Sequence, residues 1–257
     1  MRVICFANNK GGVTKTTSTI NLGYGLAREG KKVLVIDADP QCNTTYTFLG
    51  SLEQERTLFD AIYGEQGRPT HQLADVVVST KQENLHLVPG SINLSAADLI
   101  MASIPGREQK LARAMRSVSG YDYVLLDTPP NLGLMTVNAF VACTDVVIPV
   151  ALTTYALIGI DILERTMQDL RDGLEIGLPV LGVIANLGDQ TRISKDVLGA
   201  IRDHFGPTVF STIIPRNVKV EEAHNRIVCL FEYAPDSTGA EAYKALTKEV
   251  IARVEQR

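Results

Sequence analysis

Cysteine is scarce and scattered: Cys5, Cys42, Cys143 and Cys229 stand far apart, and no C-x-x-C pair occurs. A disulfide framework or a cysteine-built zinc site therefore has no basis, and reduced thiols acting as small hydrophobes are expected. An excess of one charge is missing too. Lys and Arg total 25 against 29 Asp and Glu, a net charge of −4. That balance argues against a protein that coats nucleic acid with its whole surface, and leaves room only for a local basic face. No apolar run approaches the length of a membrane span, so no stable membrane anchor is expected. The first apolar run is only a strand long, so no signal peptide is expected either. Repeats, low-complexity tracts and obvious interdomain linkers are absent. At 257 residues, a single α/β domain over residues 1–257 with a sizeable core is the natural expectation.

What is present begins with short Val/Ile/Leu runs. Strands are expected at Val3–Ala7, Val33–Asp37, Leu85–Val88, Tyr123–Asp127, Val146–Val150, Val180–Asn186 and Val209–Ile213. Helical patterns fall between them, at Thr16–Glu29, Thr57–Tyr63, Ser95–Ser103, Glu108–Val118, Leu134–Ala142, Ile158–Asp172, Ser194–Phe205 and Ala240–Val254. Ser194, and Ser95 with Asp98 three residues on, look like helix N-caps. The stretch Ser51–Lys81 is the least legible. Buried strands alternating with helices imply a mainly parallel sheet covered on both faces. In such folds ligands sit at the carboxyl ends of the strands.

The most informative segment follows the first strand. Lys10-Gly11-Gly12-Val13-Thr14-Lys15-Thr16-Thr17 joins a buried strand to a helix N-terminus. Loop amides and the positive end of the helix dipole then point to one place, where an anion can replace water. Lys15 can reach the β- and γ-phosphates of a nucleotide, and the Thr16 hydroxyl can ligate Mg²⁺. The ordinary loop reads G-x-x-x-x-G-K-[ST]; here Thr14 precedes the lysine, and a second lysine, Lys10, opens the run. Lys10 is too near the strand end to fold back easily onto its own γ-phosphate and is better placed to point out of the site. Asp127 ends an apolar strand and is positioned to hold the ion through its water shell. Asp37 and Asp39, two apart after another buried strand, face one side in extended geometry.

These residues resemble a known family. Lys10 to Thr17 is similar to the deviant Walker A box of the ParA/MinD ATPases, whose first lysine is the signature residue. Asp37-Ala38-Asp39-Pro40-Gln41-Cys42-Asn43 resembles the second box, and Tyr123–Pro130 the Walker B segment. Ile214–Val218, Phe231–Tyr233 and Gly239–Tyr243 resemble late ParA landmarks, so the likeness runs through nearly the whole chain. Thr14 departs from the pattern, as does Ala223-His224 where ParA proteins often have Ala-Pro. With no N-terminal extension to carry a helix-turn-helix domain, the likeness is to the short, Soj-like type.

The resemblance implies a three-layer P-loop NTPase that hydrolyses ATP with Mg²⁺. It implies nucleotide contacts from Lys10, Gly11, Gly12, Val13, Thr14, Lys15, Thr16 and Thr17, with Asn186, Pro215, Arg216 and Asn217 around the base. It gives the metal to Thr16, Asp37 and Asp127, the attacking water to Asp39, and catalytic charge to Lys10 and Lys15. Two subunits would pack face to face as an ATP-bridged homodimer, each Lys10 reaching its partner's nucleotide. Non-specific DNA binding, nucleoid association in the cytoplasm and a ParB-like or cargo-adaptor protein that stimulates hydrolysis are implied as well, for partition of a plasmid, chromosome or other cargo. For DNA contact the candidates are Arg192, Lys195, Arg202, Arg216, Lys219 and Arg226, interleaved with acids. A second cluster, Arg107-Lys110-Arg113-Arg116, has helical spacing and reads as readily as a solvated face. Two alternatives stand beside this reading. One is a MinD-like membrane-associated ATPase, for which the tail lacks late bulky anchors. The other is a carboxylate-activating amide ligase of the same fold.

Overall fold

The computed structural model describes residues 1–65 and 67–256, and all but the side chain of Asp98 within them. Among the described residues, eight strands form one sheet: β1 (Arg2–Phe6), β2 (Val33–Asp37), β3 (Val78–Ser79), β4 (Leu85–Val88), β5 (Tyr123–Asp127), β6 (Asp145–Ala151), β7 (Val180–Gly188) and β8 (Val209–Pro215). Their order across the sheet is β3-β4-β2-β5-β1-β6-β7-β8. Every pairing is parallel except that of β3 with β4. The seven expected strands are all present; the two-residue edge strand β3 lies in the stretch that was hard to read.

The longer helices are α1 (Lys15–Arg28), α6 (Leu134–Ala142), α7 (Ala156–Leu174), α8 (Arg192–Phe205) and α11 (Thr238–Glu255). Shorter ones are α2 (Asn43–Leu49), α3 (Leu58–Ile62), α4 (Ala97–Ile100), α5 (Lys110–Ala114), α9 (Val218–Asn225) and α10 (Leu230–Tyr233). The expected helix at Ser95–Ser103 is a 3₁₀ turn, Ile92–Ala96, running into the four-residue α4. The one at Glu108–Val118 is α5 with a 3₁₀ turn at each end. Both expected serine caps are corrected. The cap of α8 is Thr191, whose hydroxyl accepts from Ser194 N, while Ser194 itself is buried and accepts from Asp189 N. Ser91 caps the 3₁₀ turn instead of Ser95; the Asp98 side chain in that expectation lies outside the described residues.

Two apolar clusters sit on opposite faces of the sheet. One packs α3, α5, α6, α7 and α8 against one face; the other packs α1, α10 and α11 against the reverse. Because neighbours cover both faces, β2 and β5 are buried along their whole length. This explains their unbroken apolar character. In α11, Tyr243, Leu246 and Val250 are fully buried, each worth roughly 1.5–3 kcal/mol in apolar transfer. The tail is therefore a core helix whose apolar side is already spent against β8 and α1. No helix among the described residues is long and apolar enough to cross a membrane.

The α1–α11 contact depends on Gly25. A Cβ there would stand 2.3 Å from Thr247 Oγ1, well inside contact distance. Thr247 is buried and its hydroxyl donates to Tyr243 O at 2.8 Å, so it cannot swing away cheaply. Gly25→Ala should therefore lower unfolding free energy by about 1–3 kcal/mol in denaturant titration. Adding Thr247→Ala should recover part of that loss. Additive single-mutant costs would show that the two positions are not in contact.

Candidate active site

Strand register builds the site. Asp37 at the end of β2 is paired with Asp127 at the end of β5, and Asp127 with Phe6 at the end of β1. Two carboxylates thus stand side by side at the carboxyl edge of the sheet, directly beside the loop that leads into α1. Both are fully buried, and Asp39 nearly so.

Each carboxylate has partners that the sequence reading missed. Thr45 donates to Asp37 Oδ2 through its amide at 2.8 Å and its hydroxyl at 2.6 Å. Thr44 Oγ1 donates to Asp127 Oδ2 at 2.7 Å. Both threonines open α2, which the sequence reading did not identify; its signal is the Asn43-Thr44-Thr45 run after the second aspartate box. Gly90 closes the far wall, its amide donating to Thr45 Oγ1 at 2.8 Å. Asp39 Oδ1 accepts from Gln41 N at 2.9 Å, forming a tight turn at Pro40.

Burial, reinforced by the Asp127 charge, pushes the Asp37 carboxyl up to about 8. Burial likewise raises Asp127 to about 6, against the pull of Thr44, Thr16 and Lys15. Asp39 is raised by burial and held back by Gln41 N and Lys15. Lys15 is buried as well; burial lowers its amine while Asp127 and Asp39 pull it back up. Its Nζ donates to the carbonyls of Asn8 and Lys10, each at 3.0 Å, bracing the loop from inside. Asn8 links that loop to β6 by donating to Pro149 O at 2.8 Å.

Lys10 lies differently from the outward direction expected of it. It bends along its own chain: its Nζ donates to Tyr155 O at the start of α7 and lies 5.5 Å from the centre of the Tyr155 ring. Gly159 makes room for it, since a Cβ there would come within 3.2 Å of Lys10 Cδ and Cε. Thr14, where glycine is usual, takes a left-handed φ of 68°. Its buried hydroxyl lies beside the Tyr243 phenol without good hydrogen-bond geometry, and that phenol is 3.3 Å from Ser18 Oγ.

A cleft of about 400 Å³ opens next to the loop. Gly12, Thr14 and Thr17 form one side, and Ile214, Pro215 and Val220 give it an apolar wall. Asn217 lines it too, with Glu221, His224 and Asn225 at the rim, the last three not anticipated. Of the residues expected around a base, Pro215 and Asn217 are therefore on the cleft. Asn186 and Arg216 are not among its lining residues. Asn186 is buried beneath the loop and donates to Val13 O at 3.3 Å; Arg216 is exposed.

The donor set fits a hard divalent cation. Asp127 Oδ1 is buried without a hydrogen-bond partner, Thr16 lies beside the same carboxylate, and all candidate ligands are oxygens. No three acidic, His or Cys side chains among the described residues form a closed cage. That suits Mg²⁺, which usually takes one or two carboxylates and completes its shell with water and phosphate oxygens.

Fold and site together define a P-loop protein that holds a nucleoside phosphate at the carboxyl edge of a parallel sheet. A family model described as an AAA domain matches residues 1–180. The chain is 41% identical, over 100% of its length and 98% of the relative's, to the chromosome-partitioning ATPase Soj of Thermus thermophilus. It is 37% identical to the sporulation initiation inhibitor protein Soj of Bacillus subtilis, covering 98% of each chain. Among solved structures it resembles cobyrinic acid a,c-diamide synthase of Mycobacterium smegmatis with bound ATP analogue and magnesium. That match has TM-score 0.84 and 29% identity, and covers 99% of this chain and 96% of the other. The chain belongs to the ParA/MinD family, on its Soj-like side.

Raised carboxyls make a pH prediction. Their folded pKa values exceed the usual carboxylate range, so the folded chain holds protons that the unfolded chain has released between about pH 4 and pH 8. Stability of the nucleotide-free protein should fall as pH rises through that window. Asp37→Asn should flatten the fall and raise the melting temperature at pH 8 by at least about 3 °C. An unchanged pH profile in Asp37→Asn would remove Asp37 as the cause.

Proposed function

We propose that this chain is a Soj-type partition ATPase that dimerises on ATP, binds DNA without sequence preference and positions a chromosome, plasmid or other cargo. The observation that carries this reading is the different placement of the two lysines of one loop. Lys15 is buried over the carboxylates, set to meet the phosphates of its own nucleotide. Lys10 is held at the surface by Tyr155, beside an apolar stripe. In that stripe Tyr155 is 67% exposed, Ile158 57% and Ile162 46%, all on one side of α7. Apolar side chains grouped around a charged catalytic candidate mark a contact surface. A second copy of the chain fits it, because such a copy would bring a nucleotide within reach of Lys10.

Hydrolysis in this reading rests mainly on alignment and charge. Lys15 and the amides from Gly11 to Thr17 hold the phosphates. Thr16, Asp37 and Asp127 would hold Mg²⁺, which would supply charge neutralisation when bound. Asp39 orients the attacking water, and Lys10 from the partner protomer offsets charge developing on the terminal phosphoryl group. Asn186, Pro215, Arg216 and Asn217 stay the proposed base contacts, with Pro215 and Asn217 best supported by the cleft. DNA contact is assigned to Arg192, Lys195, Arg202, Arg216, Lys219 and Arg226. An adaptor protein that accelerates hydrolysis would clear bound dimers locally, and the protein would act in the cytoplasm on the nucleoid. The membrane alternative gains no support from α11, whose apolar residues are buried in the core.

Lys10→Ala should abolish dimerisation by a non-cleavable ATP analogue with Mg²⁺ in sedimentation analysis. Its ATP turnover should fall by roughly 10²–10⁴, comparable to or below the loss of an arginine finger. The wild-type protein should retard random-sequence DNA with ATP and not with ADP. A Lys10→Ala protein that dimerises and turns over ATP normally would rule out the trans-acting lysine.

A further inference from the structure

The fold turns the second basic cluster from an ambiguous sequence pattern into a surface of distinct character. Lys110, Arg113 and Arg116, with His71, line one side-chain pocket of about 510 Å³, together with the neutral Gln72 and Ser117. Among the described residues, no carboxylate is part of its lining. Among the described residues, none of the three cations forms an ion pair: Lys110 Nζ donates to Gly67 O at 3.1 Å and Arg113 to Gln109 Oε1 at 3.0 Å. Burial and the nearby Arg113 charge both lower the Lys110 amine, which is what uncompensated cations do to one another.

The cluster expected to meet DNA looks different. Arg192 pairs with Asp196 at 3.6 Å and Lys219 with Glu222 at 2.7 Å. Arg226 stacks over Tyr233 at 5.3 Å, and Arg216 lies near Asp189, whose carboxyl is held down first by Thr191 and then by that guanidinium. Among the described residues, Lys195 and Arg202 of those six have no such partner, and Arg226 meets a ring and not an acid. A cation already neutralised by an acid gains less from a phosphate and releases fewer counterions.

We propose that the Lys110–Arg113–Arg116 row is a second phosphate-binding surface of this protein, and that its ligand is the backbone of duplex DNA. The proposal rests on the reading that the ATP-bound protein binds DNA, and adds where much of the salt-dependent contact lies. Geometry favours a polyanion over a single phosphate. The row spans seven residues of α5 and its following 3₁₀ turn, about 9–12 Å at helical rises, and i,i+3 side chains nearly eclipse where the helix tightens to 3₁₀. DNA presents a phosphate about every 3.4 Å along each strand, so one row can face several. An acidic protein segment would need apolar anchors as well. None of the large exposed apolar side chains lies on this pocket. Leu111 and Met115 tie the row to the core from behind. The row packs on the same face of the sheet as α8, which carries Arg192, Lys195 and Arg202.

The test is the salt dependence of binding to a random-sequence duplex, with a non-cleavable ATP analogue and Mg²⁺. Wild type is compared with Arg113→Gln/Arg116→Gln, both exposed positions, and with Arg192→Gln/Lys219→Gln. DNA-free ATP turnover and melting temperature should be unchanged in Arg113→Gln/Arg116→Gln, and melting temperature in Arg192→Gln/Lys219→Gln, which shows that the fold is intact. Each lost phosphate contact flattens log K against log salt by about 0.9, so the first variant should lose about 2 from the slope per protomer engaged. The second should lose clearly less. Wild-type binding with an unaltered slope in Arg113→Gln/Arg116→Gln would overturn this assignment and leave DNA binding itself standing. So would a variant that keeps DNA but loses poly-glutamate, which would make the partner an acidic protein. If wild type binds no DNA in any nucleotide state, the partition reading fails and takes this surface with it.

Discussion

Two carboxylates that strand pairing forces together out of water are the constraint on which the rest depends. Asp37 and Asp127 are register partners at the ends of β2 and β5, both fully buried, with Asp39 and Lys15 close enough to perturb them. Ionising both without a counter-charge is costly in such a place. The protein reduces the cost with the Thr44 and Thr45 hydroxyls and by letting the pair keep protons. A divalent cation held by the same oxygens would offset that cost by a different route. The electrostatic balance at this edge therefore depends on α2, which donates to both carboxylates. It supplies both threonines and follows directly from the Asp39-Pro40 turn.

From the same loop come two lysines with opposite fates, and packing explains the division. Lys15 opens α1 over the sheet edge, so its stem is buried and its amine is held by loop carbonyls. Lys10 precedes the glycines, where the chain is still rising out of β1, and its amine donates to the Tyr155 carbonyl at the head of α7. Gly159 is the detail that makes this possible, since any side chain there would displace the lysine stem. Tyr155 is thus both a resting place for Lys10 and part of the exposed apolar stripe. Covering the stripe and freeing the lysine become one event if a second protomer docks there, which couples nucleotide occupancy to assembly without a separate switch.

Much of this was legible in the residues. Buried parallel strands show as unbroken Val/Ile/Leu runs because both their faces are covered, and all seven such runs were found. The phosphate loop and the three aspartates were legible because their chemistry demands fixed residue types at fixed spacing. What escaped was set by tertiary context. The helix α2 opens on polar threonines whose reward is hydrogen bonds to buried carboxylates, not an apolar face. The α8 cap lies three residues before the serine chosen for it, because Thr191 and Ser194 are equally good capping residues and only the loop path decides. The end of β7 also escaped, since the strand runs on to Gly188, two residues past Asn186.

Surface charge follows the same logic. A chain with net charge −4 cannot attract a polyanion globally, so any such contact depends on where acids are absent, not on where bases are many. The carboxyl-terminal third has more Lys and Arg in sequence, yet its acids fold back onto them: Asp196 onto Arg192 and Glu222 onto Lys219. Around α5 the cations are interleaved with the buried Leu111 and Met115, and among the described residues no acid pairs with them. Counting charges along a segment therefore ranks the two clusters in one order, and their folded partners rank them in the other. Free cations carry the electrostatic part of binding because only they exchange counterions for phosphates, and by that criterion the exposed edge of α5 outweighs the longer basic list.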